Sequence, residues 1–475
     1  MPTLVKPART TSRTAARPRP APVRDAESAQ LIDVAARLVE LALKEGAGEA
    51  EAYAESSRES SVRVRDGEVE ELSQATSKGV GLRVISGARL GFSFGTDFSR
   101  EGLKQIAGRA VALAKLSAKD PNNALPLGAA LGFNAAGEGD YDPAIESIDP
   151  AWKLNAAREA ERSAKAADAR VRKFDSSGAG DYLAHSAVVS SRGAHGASRA
   201  TYVSIDCSPV AEENGQLQTA SWSDTRRRLD ALESPELIGR TAAARAVRML
   251  GARKVKTQSV PVILDPRMAA GFIAGLAAAV NGNLVYKKSS FLGALKGKRV
   301  APEGFTLVDD ATLEHGLATR PLDGEGAASR RTVVVERGIL KEFLYDAYSA
   351  KKAGARSTGS AARGWSSLPG IGTSNFFLEA GSVAPGEIIR GVKQGLYVTA
   401  MLGRGADVVT GDYSRGANGI WIENGELTYP VQEVTVAGNL LEMLKGIDAI
   451  GSDLEHRSST AAPTLRFASL MVSGS

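Results

Sequence analysis

The densest collection of reactive side chains in this 475-residue sequence is the run Thr410-Gly-Asp412-Tyr413-Ser414-Arg415-Gly-Ala-Asn418-Gly. Acid, base, hydroxyl and amide groups are packed between glycines, the composition of a loop that presents polar groups. Such a loop serves either as a turn held by an Asp412 to Arg415 pair or as the lip of a cleft that grips peptide backbone or a partner subunit. A second group, Tyr286-Lys287-Lys288-Ser289-Ser290, places two lysines side by side, either as a solvated face or as a carboxylate site. Ser414 is the one hydroxyl with enough neighbouring charge to test as a nucleophile.

Other chemistries are poorly served. His185, His195, His315 and His456 have no carboxylate or cysteine at ligand spacing, so they read as surface or hydrogen-bonded residues. The single cysteine, Cys207, can form neither an internal disulfide nor a thiolate cluster, and reads as a buried thiol in a reducing, cytoplasmic setting. Gly293 to Lys298 lacks phosphate-loop spacing, Gly370 with Gly372 lacks the last glycine of a dinucleotide fingerprint, and no Gly-x-Ser-x-Gly elbow occurs.

The element that must position these groups is 261–290, PVILDPRMAAGFIAGLAAAVNGNLVYKKSS, an apolar strand running into a helix over 266–281. Asp265 is placed to cap the helix, Pro266 suits its first turn, and Asn281-Gly282 reads as a left-handed stop. Met268, Phe272, Leu276 and Ala279 recur on one face. The helix contains no His, Glu, Asp or Cys.

Around it the pattern predicts an α+β protein. Residues 25–250 read as an N-terminal α/β domain with an antiparallel sheet and helices on one face. Helices are expected at 25–46, 99–116, 152–167 and 234–250. Strands are expected at 49–57 and 61–72, then on two arms carrying Val80, Leu82 and Val84, and Leu90, Phe92 and Phe94, and again over 171–224. Turns are expected at Asp66-Gly67, Ser86-Gly87, Ser177-Gly178, Arg192-Gly193 and Asn214-Gly215. Residues 119–150, rich in Pro, Gly, Asn and Ala, read as a surface connection. Residues 251–475 read as a C-terminal β-rich domain with strands at 332–335, 338–345, 396–402, 406–410, 419–422 and 432–436, and 50 glycines in the chain favour its turns.

Charge narrows the partners. The formal net charge is +5, yet residues 1–24 carry six basic residues and no acid, leaving 53 basic against 54 acidic residues elsewhere. The body is neutral, which disfavours nucleic acid. The basic character belongs to a tail expected to be disordered, read as a solvated extension or as a contact for RNA or anionic lipid. The longest uncharged apolar run, Met268 to Val280, is too short to span a bilayer, and no membrane role is expected.

Four stretches carry a resemblance: VYKKSSFL at 285–292, LDGEGAASRRTVVVERGILKEFLYDAYSAKKAG at 322–354, STG at 357–359, and VVTGDYSRGANGIWIENGELTYPVQEVTVAGNL at 408–440. In this order they resemble the TldD/PmbA family, and within it the PmbA (TldE) branch. The likeness runs from about Gln30 to the C-terminus. It implies an N-terminal α/β domain, a C-terminal β-rich domain, and pairing with a TldD-type subunit into a zinc metalloprotease that trims peptides and unfolded segments in a closed chamber. The TldD type carries a His-Glu-x-x-x-His motif and a later cysteine. By the resemblance, the motif positions fall at Ala274, Gly275 and Ala279, and the cysteine near Ala461 to Pro463, where there is none.

Zinc needs imidazole, thiolate or carboxylate donors at about 2.0–2.3 Å, and a peptidase needs a carboxylate to take a proton from the bound water. A methyl group or a hydrogen supplies neither. Positions five apart also sit about 140° apart on a regular helix, so an active version must distort it. The resemblance therefore implies a non-catalytic subunit with no cofactor of its own, zinc residing in a TldD-type partner. Tyr286, Lys287, Lys288, Asp412, Tyr413, Ser414, Arg415 and Asn418 are the candidate cleft or partner contacts. Alternatives are a homodimeric peptide-binding or regulatory protein of the same fold, a peptidase that works without zinc through Ser414, and a nucleic-acid-associated regulator, suggested by the family's older description as a modulator of DNA gyrase.

Overall fold

The computed structural model describes residues 25–128, 141–403 and 405–474. The expected basic tail and part of the 119–150 connection lie outside the described residues.

The first half of the chain forms a seven-stranded sheet. Its spatial order is Arg89–Gly95, Glu68–Ser86, Glu49–Arg65, Val171–Ser190, His195–Glu213, Gln216–Thr219, with Trp222–Arg226 also paired to His195–Glu213. Every pairing is antiparallel. Asp66 and Gly67 (φ 52° and 85°) make the first hairpin turn, as the dipeptide predicts. Helices Ala26–Lys44, Arg100–Leu116, Pro150–Ala167 and Pro235–Val247 are capped by Asp25, Ser99, Asp149 and Ser234, whose side chains accept first-turn N–H groups. All four lie on one sheet face, over residues such as Ala52, Leu82, Ala187, Ile205 and Cys207.

Several expectations are corrected. The strands expected at 49–57 and 61–65 are one strand, Glu49–Arg65, and those expected at 68–72 and 80–84 are another, Glu68–Ser86, because the polar run Ser73 to Lys78 pairs backbone to backbone with Ser56 to Ser61 whatever its side chains. Ser177-Gly178 lies inside Val171–Ser190 rather than at a turn, and the second hairpin turns at Gly87-Ala88. Leu82 pairs with Ser93 and Arg83 with Phe92, so Phe92 and Phe94 point away from the face of Val80, Leu82 and Val84. They face the second half of the chain. There Trp365 lies flat against the strand at Gly79 and Gly81, where any Cβ would overlap it, and its ring meets Phe94 edge-on with centroids 5.7 Å apart.

The second half is β-rich. One sheet runs Glu426–Asn439, Asp412–Glu423, Gln394–Leu402, Gln258–Leu264, Leu465–Ser473, Ile447–Ile450. Glu426–Asn439 also pairs with Leu465–Ser473, so five of these strands close into a barrel. A smaller sheet is ordered Ile339–Leu340, Arg331–Glu336, Leu307–Asp310, Asn375–Leu378, Thr460–Ala461. The expected strand at 338–345 is only Ile339–Leu340, followed by a short helix, Ala347–Ala353. The expected strand at 406–410 is a turn, bridged once from Ala406 to Tyr413.

Candidate functional site

The helix expected over 266–281 spans Pro266–Ala279. Asp265 Oδ1 accepts the Met268 N–H at 2.8 Å, and Pro266 occupies the first turn. Burial raises the Asp265 carboxyl above its ordinary value, opposed by Arg245 at 3.3 Å and the Met268 N–H. Asn281 (φ −70°) is not a left-handed stop. It caps a second short helix, Gly282–Tyr286, and Gly282 is required because the Tyr345 ring fills the space a Cβ would take.

Ala269, Phe272, Ile273, Leu276 and Ala279 form the buried stripe, while Met268 is half-buried. Phe272 stands edge-on to Phe467 (5.2 Å between centroids) and to Tyr413 (6.1 Å). The opposite face carries Gly271, Ala274 and Ala278. Of the three motif positions, Ala274 is exposed, Gly275 is half-buried with open space where a Cβ would stand, and Ala279 is fully buried. The strand Thr460–Ala461 packs against this helix, and Ala461 and Ala462 are buried. Helix and strand thus meet, but they bring together methyl groups and hydrogens. These residues do not fit a metal, and no cluster of three His, Cys, Asp or Glu side chains among the described residues could hold one.

The two polar stretches flank this helix. Tyr286, Lys287 and Lys288 are exposed, and Lys352 Nζ lies 5.1 Å from the Tyr286 ring centroid. The Phe291 N–H donates to Val408 O at 3.0 Å, tying this stretch to the turn before Asp412. Residues 412–418 are not a loop but the first half of the barrel strand Asp412–Glu423. The strand divides them. Asp412 and Ser414 are exposed, and Thr410 Oγ1 donates to Asp412 at 2.9 Å. Tyr413 is buried, which raises its phenol pKa, and its hydroxyl lies 3.2 Å from Met401 Sδ.

Arg415 sits beside Gly271, with its guanidinium 3.5 Å from Met401 O, three places along the strand from Asp412 and so on its opposite face. Asn418 Oδ1 accepts the Glu433 N–H at 3.1 Å. Among the described residues no acid or base is hydrogen-bonded to Ser414 Oγ, so it lacks the partner a nucleophile needs. Cys207 is buried, its thiol pushed up to about 12. His185 Nδ1 lies 2.8 Å from Asp25, and His456 is edge-on to Phe377.

At the foot of the helix lies a groove of about 420 Å³, lined in part by Trp222, Arg245, Arg267, Ala270, Arg457 and Ala461. Three guanidinium groups surround the Trp222 ring: Arg267 at 3.8 Å, Arg457 at 5.1 Å and Arg245 at 5.4 Å from its centroid. Burial and the charges of Arg245 and Arg457 lower the Arg267 pKa to about 10. A second cavity of about 400 Å³ shares Arg245 and Arg267 and reaches Asn418. The two together make a trough between the halves of the chain in which Arg245, Arg248, Arg267 and Arg457 are matched by Asp175, Asp265, Asp453 and Glu455, a polar lining with no net formal charge. Sequence reasoning missed Trp222, Arg245, Arg267 and Arg457. They lie far apart in the chain, with no local pattern to join them.

Family models describing the PmbA/TldA metallopeptidase match in three parts: domain 1 over 50–114, the central domain over 143–250 and the C-terminal domain over 257–474. The Metalloprotease PmbA homolog of Haemophilus influenzae is 34% identical over 454 residues, covering 94% of this chain and 97% of its own. A crystal structure from Bacteroides thetaiotaomicron, designated a candidate modulator of DNA gyrase, superposes with a TM-score of 0.85 at 28% identity, over 93% of this chain and 98% of that one. TldE from Thermococcus kodakarensis shares the fold, with a TM-score of 0.85 at 22% identity over 93% of this chain and 100% of its own.

Proposed function

The chain belongs to the PmbA/TldD metallopeptidase family, and within it we propose that this protein is a non-catalytic subunit of the PmbA (TldE) type. Its partner is a TldD-type chain that supplies the zinc and the catalytic carboxylate. Together they process peptides or unfolded polypeptides in the cytoplasm. One observation carries this reading: Ala274, Gly275 and Ala279, and the strand at Ala461 that packs on their helix, present no donor atom. A peptidase scaffold keeps its frame there without its ligands.

The surface offered to the partner is the small-residue helix face flanked by Tyr286 to Lys288 and by Asp412, Ser414 and Arg415. The Trp222 trough contributes to the substrate path. No described helix is long and apolar enough to cross a membrane. The test is metal analysis and a peptidase assay on the purified chain, alone and mixed with a TldD-type chain. Activity and stoichiometric zinc are expected only in the mixture. Hydrolysis or stoichiometric zinc in this chain alone would sink the proposal, and light scattering of both samples separates heterodimer from homodimer.

A further inference from the structure

We propose that a small cavity between the first sheet and the C-terminal half binds an oxyanion, a carboxylate or a phosphate, through Arg320 and Arg363. The cavity holds about 70 Å³ and is lined by Tyr53, Ser186, Ser198, Arg320, Asp323 and Arg363 among others. It has room for a carboxylate or phosphate group. The strand register explains why the hydroxyls converge there. Ser186 pairs with Ser198 and Tyr53 with Val188 on the sheet face turned away from the helices, and the two serine Oγ atoms are 3.2 Å apart.

The Arg363 side chain is wholly buried, and its Nη1 donates to Glu51 at 2.6 Å. Among the described residues its Nε and Nη2 donate to nothing, and neither do Nε and Nη2 of Arg320. Four nearby carboxylates are already engaged, and Glu55, beside Gly364, is outside the cavity lining. Glu51 takes Arg83 at 2.8 Å as well as Arg363, and Glu325 takes Arg83 and the Ala347 N–H, both at 2.8 Å. Asp323 accepts the N–H groups of Glu325, Ala327 and Ala361, and Asp309 accepts the N–H and hydroxyl of Ser374.

Four buried guanidinium nitrogens, Nε and Nη2 of Arg320 and of Arg363, are therefore left without an acceptor among the described residues. Buried donors left unpaired cost free energy that native structures avoid. Two guanidinium edges beside three hydroxyls make a site for a two- or three-oxygen anion. The site stands independently of the subunit role proposed above.

Isothermal titration of the full-length chain tests this with inorganic phosphate and with trialanine, as the free acid and as its amide. Saturable binding of phosphate or of the acid is expected, weakened about tenfold or more in Arg320→Gln and by a smaller factor in Ser198→Ala. Circular dichroism of each variant should match the parent, and Ser198→Ala alone decides if Arg320→Gln misfolds. Binding of phosphate without the peptide assigns the site to a free anion. Binding of the acid but not the amide assigns it to a polypeptide carboxy terminus. Absence of saturable binding of both phosphate and the acid overturns the proposal, as does undiminished affinity in the folded variants.

Discussion

Restoring the zinc motif one residue at a time should fail at a single, identifiable place. Ala279 is completely buried, and Ser290 Oγ donates to its carbonyl at 2.6 Å. An imidazole at 279 must overpack this core, at about 1–3 kcal/mol, and bury a ring nitrogen without a partner, at about 1–3 kcal/mol. The sum, about 2–6 kcal/mol, is a large part of the roughly 5–15 kcal/mol that holds a native protein together. Ala274 is exposed, so Ala274→His costs only the helix-propensity difference, about 0.5 kcal/mol. A Cβ at Gly275 meets nothing within 4 Å, so Gly275→Glu has room to leave the helix and gains helix propensity. Calorimetric melting of the three single variants is the assay. Ala279→His should lower Tm by roughly 2–6 °C while the other two stay near the parent. A Tm for Ala279→His within a degree of the parent would refute the placement of residue 279 in the core. A metal-binding relative with histidine at this position must carry its helix along a different path.

Further outcomes test the surroundings of the site. Gly275→Ala should stabilise by about 0.5–1 kcal/mol, whereas Gly282→Ala drives a methyl into the Tyr345 ring and should destabilise; urea unfolding reads both. Gly79→Ala forces Trp365 off the first sheet and should quench or shift tryptophan emission and lower Tm, while Gly108→Ala, open on all sides, should raise it. Burial raises Asp309 to about 6 from 3.8, against the pull of the Ser374 N–H and hydroxyl. Folding thus favours its protonated form, and this contribution is full below about pH 4 and lost as pH rises through about 6. The stability margin of the parent over Asp309→Asn should therefore shrink between pH 4 and 7, and a margin that grows would contradict it.

Local signals in the sequence were dependable where chemistry is local. Asp66-Gly67 turns where its positive φ angles allow, and Asp265 caps the helix it precedes. Glycine was the main source of error. Gly416 and Gly419 suggested a loop over 410–419, yet a Cβ at Gly419 would overlap the Tyr397 carbonyl of the adjacent strand. There glycine marks strands in close approach rather than a turn. Val80 to Val84 and Leu90 to Phe94 were read as the two arms of one hairpin, which they are, but alternation alone does not say which face each run occupies. The Trp222 trough and the Arg320 to Arg363 cavity were invisible because residues from both halves of the chain build them.

The closure of the barrel has a consequence for the order of folding. Gln258–Leu264 lies between Gln394–Leu402 and Leu465–Ser473, so the strand made first waits on neighbours synthesised more than a hundred residues later. Such distant pairings are slow to form and leave apolar surface uncovered meanwhile. The helix sheet of the first half, by contrast, is complete by Arg226 and its last helix by Val247. During synthesis the first half can therefore stand folded as a template while the barrel remains open. The stretch from 258 to 473 is where a chaperone, or a partner subunit arriving early, would have the most to protect.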